Sequence, residues 1–138
     1  MKIFHLISLF LFTLFAPLYV FGNQNVTAKD TVRIYKLLSD AYDSRMTDAL
    51  LTVSKATEAL KLSNTLKYEI GIAEAYRTIG IGYSYQYKQS DALTNYLNAL
   101  SHFQAINNQL GIARAYNNIG NLYRDTNYQS ASENFSRA

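Results

Sequence analysis

The sequence predicts an all-α fold, a row of helix–turn–helix hairpins repeated along the chain. Two observations carry that prediction. The segment GIAEAYRTIG at residues 71–80 returns as GIARAYNNIG at residues 111–120, with seven of ten positions identical at an offset of 40. Self-similarity at a period of this size marks a repeat array, in which each unit buries its apolar face on its neighbour. Within and after each block, the apolar and small residues also recur at the helical period of about 3.6 residues and not in the alternation of a strand.

Each element follows from those spacings. In the middle copy Ala73, Tyr76, Ile79, Gly80 and Tyr83 fall at i, i+3, i+6, i+7 and i+10, one stripe of a first helix. Residues 86–89 break that stripe, and Ser90 is the expected N-cap of a second helix carrying Ala92, Tyr96, Ala99 and Phe103. In the later copy Tyr123 continues the first stripe, and Ala131, Phe135 and Ala138 repeat the Ala–aromatic–Ala spacing of the second. Glycine inside a helix costs roughly 1 kcal/mol relative to alanine. Its recurrence as Gly80 and Gly120 therefore predicts a close helix contact that offsets the cost, with Ala92 and Ala131 opposite and aromatic rings filling the gaps.

These residues resemble the tetratricopeptide repeat family, whose hairpin has an aromatic, a large apolar residue three on, then Gly or Ala, then Tyr, with Ala–aromatic–Ala in its second helix. Tyr76, Ile79, Gly80, Tyr83, Ala92, Tyr96 and Ala99 match in register. Tyr116, Ile119, Gly120, Tyr123, Ala131, Phe135 and Ala138 match with a turn one residue shorter. The family's terminal Pro is replaced by Gln104, and the period of 40 exceeds the usual 34, as in the longer-helix variety found in kinesin light chains and bacterial signalling proteins. A degenerate earlier copy has Tyr35, Leu38, Ser39 and Tyr42 in its first helix. Its second helix takes either Ala49, Val53 and Ala56 or a register through Ala56, Ala59 and Leu60. The resemblance spans residues 31–138, divided near 31–64, 66–108 and 109–138. It implies a right-handed α-α superhelix, a solenoid whose concave face binds protein or peptide. Seven tyrosines (Tyr35, Tyr42, Tyr76, Tyr83, Tyr96, Tyr116 and Tyr123) take core positions in this register, and Phe135 does too. Tyr85 and Tyr87 lie off the stripe and are candidates for ligand contact.

Before the repeats, Met1 and Lys2 precede a run of about 19 apolar residues that holds five of the seven Phe and no acid, and ends in Val20-Phe21-Gly22. That is the layout of a secretory signal peptide over residues 1–22, cut after Gly22, with 23–30 as a short linker. The chain is thus expected to be exported to a periplasmic or other extracytoplasmic space. The alternative is an uncleaved membrane anchor over residues 3–21. The absence of Cys rules out disulfides, thiolate metal sites and lipid attachment through this signal. Without Lys2 the remainder holds 12 Lys and Arg against 10 Asp and Glu, too even a balance to imply nucleic acid or an anionic membrane surface.

No constellation for catalysis is legible. His102 is the only His after the signal and has no Cys or His beside it to build a metal site. There is no G-x-S-x-G, and the glycines of Ile79–Gly82 fall inside a helical stripe and not after a strand. Asp40 and Asp43 stand one turn apart and read as a solvated pair. The sequence therefore predicts no enzyme activity, cofactor or metal.

In the family, first helices line the groove. That implies Arg33, Lys36, Asp40 and Asp43 from the first unit and Glu74, Arg77, Ile81 and Ser84, with Tyr85 beside them, from the second. The third unit supplies Arg114, Asn117, Asn121 and Arg124. Cations and amides in such a groove suit an extended peptide backbone and its acidic groups. The family's clamp for a C-terminal carboxylate fits Lys36 and Arg114 but not Asp40, Thr78 or Asn118, and Asp40 would repel a carboxylate. The last hairpin lacks a polar cap, so the chain is expected to be a fragment, a truncated reading frame or the front end of a longer protein, and self-association through that uncapped repeat is a further expectation. Long-period repeats behind a signal resemble the input half of bacterial histidine kinases, cyclases or transcription regulators. The alternative is a stand-alone exported adaptor.

Overall fold

A computed structural model describes residues 26–124 and 127–138. Among these residues the chain forms six helices and no strand: α1 (Ala28–Ser44), α2 (Ala49–Thr65), α3 (Glu69–Tyr85), α4 (Gln89–Ala105), α5 (Gln109–Tyr123) and α6 (Tyr128–Arg137). The fold is all-α, as expected, and each helix packs on the next. Helix α3 also touches α1 and α5, whereas α2 and α4 do not meet. The odd-numbered helices thus form an inner wall and the even-numbered ones an outer layer. The expected export segment lies outside the described residues, and none of the described helices is long and apolar enough to cross a membrane.

Three connections use one backbone device. The N–H groups of Tyr68, Lys88 and Asn108 donate to the carbonyls of Ser63, Tyr83 and Phe103 at 2.9, 3.0 and 2.9 Å. The residues just before them, Lys67, Tyr87 and Asn107, have φ of 53°, 59° and 53°. A left-handed residue closed by such a bond is the Schellman ending of a helix, a place that glycine usually fills. Here none of the three is glycine, and they recur every 20 residues. This device overrides the expected cap at Ser90. The turn closes at Lys88, so Gln89 is already helical, and no side chain caps α4. Helix α3 likewise has no side-chain cap, whereas the other four do: the Thr27 and Asp30 capping box on α1, Asp48 on α2, Asn108 on α5 and Asn127 on α6.

The core divides into two clusters that share α3. One joins Ile34, Leu38 and Ala41 of α1 to Ala56 and Ala59 of α2 and to Ala75 and Ile79 of α3. The other joins Ala73 and Ile81 of α3 to Tyr96 and Phe103 of α4 and to Ala115 and Ile119 of α5. Nine residues of α3 are buried, as a helix enclosed on several sides requires. The glycines make the contacts close. A Cβ on Gly80 would meet the Tyr96 ring at 2.6 Å and the Ala92 carbonyl oxygen at 3.2 Å, and one on Gly120 would meet the Phe135 ring at 2.6 Å. The rings therefore sit directly on the glycines.

The first hairpin decides between the two registers open for its second helix. Helix α2 buries Thr52, Ala56, Ala59 and Ser63, which stand 40 residues before Ala92, Tyr96, Ala99 and Phe103, while Ala49 and Val53 are only half-buried. The register through Ala56 and Ala59 is the one adopted. Small residues stand where the second hairpin has two aromatic rings, which is why the copy reads weakly. Three aromatic assignments also change. Tyr35 and Tyr42 are 42% and 41% exposed, and Phe135 is 40% exposed. The two tyrosines stand on the inner wall, and Phe135 covers Gly120 with one face only.

Two substitutions test this packing. Gly80→Val forces branched carbons into the space of the Tyr96 ring and should cost about 1–3 kcal/mol in urea unfolding, with an unchanged denaturant slope. Tyr87 is 91% exposed in its left-handed turn, so Tyr87→Asn should relieve strain without losing packing. A gain of about 0.5–1 kcal/mol, read as a raised Tm, is expected.

Candidate functional site

The inner wall carries a polar cleft made of three adjoining cavities that share Tyr42 and Arg77. The largest, about 430 Å³, lies toward the C-terminal ends of α1, α3 and α5. Arg45, Arg77 and Arg124 line it with Asn117, Asn118 and Asn121, and Tyr42, Tyr85 and Tyr96 supply aromatic surface beside Ile81 and Ser84. The other two, about 390 and 260 Å³, extend past Arg114 toward Glu74 and Tyr35.

Nine of the thirteen residues expected in the groove meet here: Glu74, Arg77, Ile81, Ser84 and Tyr85 of α3, and Arg114, Asn117, Asn121 and Arg124 of α5 and its end. The four from α1 line none of these cavities. Arg33 Nη2 lies 3.3 Å from Glu58 Oε1, and Asp40 accepts from both Lys36 and Lys55 at 3.3 Å, so this charged stripe turns to the flank of α2. The two lysines hold the Asp40 carboxyl below its usual range. Asp43 is exposed outside the cleft. Helix α1 instead presents Tyr35, Leu38, Ser39 and Tyr42, with Arg45 just beyond its end. Partners on α2 decide which side of α1 faces inward, and spacing along α1 alone carries no record of them. Tyr87 stands on its turn, away from these cavities.

The site is braced from within. Glu74 Oε2 accepts from Arg77 Nε at 2.8 Å, and its Oε1 accepts from Arg114 Nη1 at 3.4 Å, so one carboxylate ties α3 to α5. Arg45 stacks 3.8 Å above the Tyr42 ring and donates from Nη1 to the Tyr42 carbonyl at 2.7 Å. Tyr96, seated on Gly80, forms part of the cleft lining, and burial pushes its phenol well up despite Ser84 beside the hydroxyl. Tyr35 is pushed up to about 12 by its hydrogen-bond partner Tyr68 and by burial. The Asn118 Nδ2 is buried in the wall with no hydrogen-bond partner. An unsatisfied buried donor costs about 1–3 kcal/mol, and a ligand acceptor would recover it.

Chemically, the largest cavity offers N–H and O–H donors on aromatic surface, with no carboxylate among the described residues that line it. Nor is there a histidine among the described lining residues. His102 lies elsewhere, stacked on Tyr76 with Nδ1 2.9 Å from Glu69 Oε2. Among the described residues no group of three or more His, Asp and Glu is arranged to hold a metal ion. No protein-family model, curated protein or solved structure matches this chain.

Glu74 is the internal brace that can be removed on its own. Glu74→Gln keeps the shape but leaves Arg77, only 17% exposed, without its counter-charge. A loss of about 1–2 kcal/mol is expected in chemical denaturation, and it should shrink in the double variant with Arg77→Met.

Proposed function

We propose that this chain is a tetratricopeptide-type array, coiled as a right-handed superhelix, that binds an extended peptide or protein segment and performs no chemistry itself. One observation carries the reading: the first helices of all three hairpins converge on a single cleft lined by arginines and amides, with a buried amide donor left unpaired in its wall. Such donors match the carbonyls and acidic groups of an extended chain. The apolar leader at residues 1–22 supports export, and the long repeat period supports the input region of a bacterial signalling protein of the histidine kinase, cyclase or transcription regulator type. A stand-alone exported adaptor is the second reading, favoured by the same leader. A reading frame continuing past Ala138 into a transmembrane helix and an output domain supports the first reading, and a genuine stop there leaves the adaptor.

Binding is tested by pull-down from the native host's extracytoplasmic fraction with the wild-type chain and with Arg77→Glu and Arg114→Glu. Captured partners should fall at least about tenfold in the variants, since each reversal places a repelling charge inside the cleft. Unchanged capture would remove the cleft from the function.

A further inference from the structure

Resting on that peptide-binding reading, we infer that the largest cavity receives an aromatic side chain of the bound peptide, stacked on Arg45 and packed against Tyr85. The layering makes the space. Helices α1 and α5 both pack on α3 but not on each other. Helix α3 is therefore the floor of a gap whose walls are α1 and α5. Tyr42 and Arg45 enter the cavity from the α1 side, Ile81 and Tyr85 from the floor, and Asn117 and Asn121 from the α5 side. One wall and the floor thus offer rings, and the other wall offers amides.

Arg45 is held in a flat contact. Its guanidinium carbon lies 3.8 Å from the centroid of the Tyr42 ring, and its Nη1 donates to the Tyr42 carbonyl at 2.7 Å. One face is covered and one in-plane N–H is engaged with main chain, so the opposite face is the one left to a ligand in the cavity that Arg45 lines. A guanidinium is planar, delocalised and weakly hydrated, and a ring on one face leaves the other free to attract a second ring. The tyrosines point the same way. Tyr42 and Tyr85 keep 41% and 46% of their surface exposed. A ring in the cavity they both line would cover that aromatic surface.

Size and chemistry narrow the occupant. A volume of about 430 Å³ lies within the range of ligand pockets and admits the side chain of phenylalanine, tyrosine or tryptophan. An aliphatic side chain would cover the same tyrosine surface but leave the Arg45 face without a π partner. A carboxylate would seek the edge of the Arg45 guanidinium, where Nη1 already serves the Tyr42 carbonyl. Asn117 and Asn121 are both exposed on the facing wall and supply amides for the peptide groups that flank the ring.

The test selects random amidated dodecapeptides on the immobilised full chain in a mild non-ionic detergent. Selected peptides should share an aromatic residue. In the tightest of them, that residue is replaced by cyclohexylalanine, which is as large and more apolar but has no π face. Binding should weaken about fivefold, the scale of one stacked ring and cation contact. Arg45→Gln should erase the difference between the two peptides, and Tyr85→Ala should weaken the aromatic peptide by a similar factor, both with the helical circular dichroism unchanged. If a variant loses helix, the cyclohexylalanine comparison on the unaltered chain decides alone. The aromatic peptide should also shift the Ile81 methyl signals in NMR spectra through its ring current, and the cyclohexylalanine peptide should not. Peptides that share no aromatic, cyclohexylalanine binding as tightly as the ring, or ring-current shifts that spare Ile81 would overturn this inference and leave peptide binding standing. Binding that depends on an acidic residue and not on a ring would do the same. Failure to select any peptide would overturn both.

Discussion

An aromatic ring seated on a glycine of the neighbouring helix is the contact on which this architecture depends. It occurs with Tyr96 on Gly80 and with Phe135 on Gly120, 40 residues later on the glycine side, and Phe103 takes the same part against Gly111. A ring needs a flat seat, and only a residue without Cβ provides one inside a helix. The propensity lost by glycine, roughly 1 kcal/mol per position, is outweighed by burying a ring of large apolar area. The same contact builds the cleft, because the Tyr96 ring that rests on Gly80 also reaches the inner wall beside Ser84 and Arg77. Stability and the candidate site thus share a residue.

The cleft is set by the layering. The turns at Lys67, Tyr87 and Asn107 bring successive helices back antiparallel, so α1, α3 and α5 run parallel and stop at one side. Their ends gather there, and with them Arg45 and Arg124, which suit helix C-termini electrostatically. A charge arrangement that serves helix ends locally becomes, through stacking, a concentration of cations in one cavity. Glu74 then limits that concentration from behind by holding Arg77 and Arg114 together.

How much of this the sequence disclosed depends on whether the information was local. The blocks at 71–80 and 111–120 fall within α3 and α5, and the α3 and α5 groove positions were legible because helical period and repeat register both specify them. The start of α4 was not, because the turn before it is closed by main-chain bonds with Tyr87 in a place where glycine is the usual signal. The inward side of α1 was not legible either, since it follows from Glu58 and Lys55 on another helix. Tyr42 and Arg45 were missed for that reason, whereas Asn118 of α5 lies beside the expected groove position Asn117 and enters the wall only through packing. An Arg just past a helix end, three residues after a Tyr, was the one available hint.

Because α3 is buried in both clusters, the first two hairpins have no joint at which one could be lost and the other kept, whereas α6 packs on α5 alone. Repeat proteins are commonly additive along their length, each unit contributing its own stability and one interface. Here the middle unit's first helix is itself both interfaces. Damage at Gly80 or Ile79 therefore opens the array in two directions at once, and α1 to α5 should behave as a single switch between folded and unfolded, more like a small globular domain than a stack of parts.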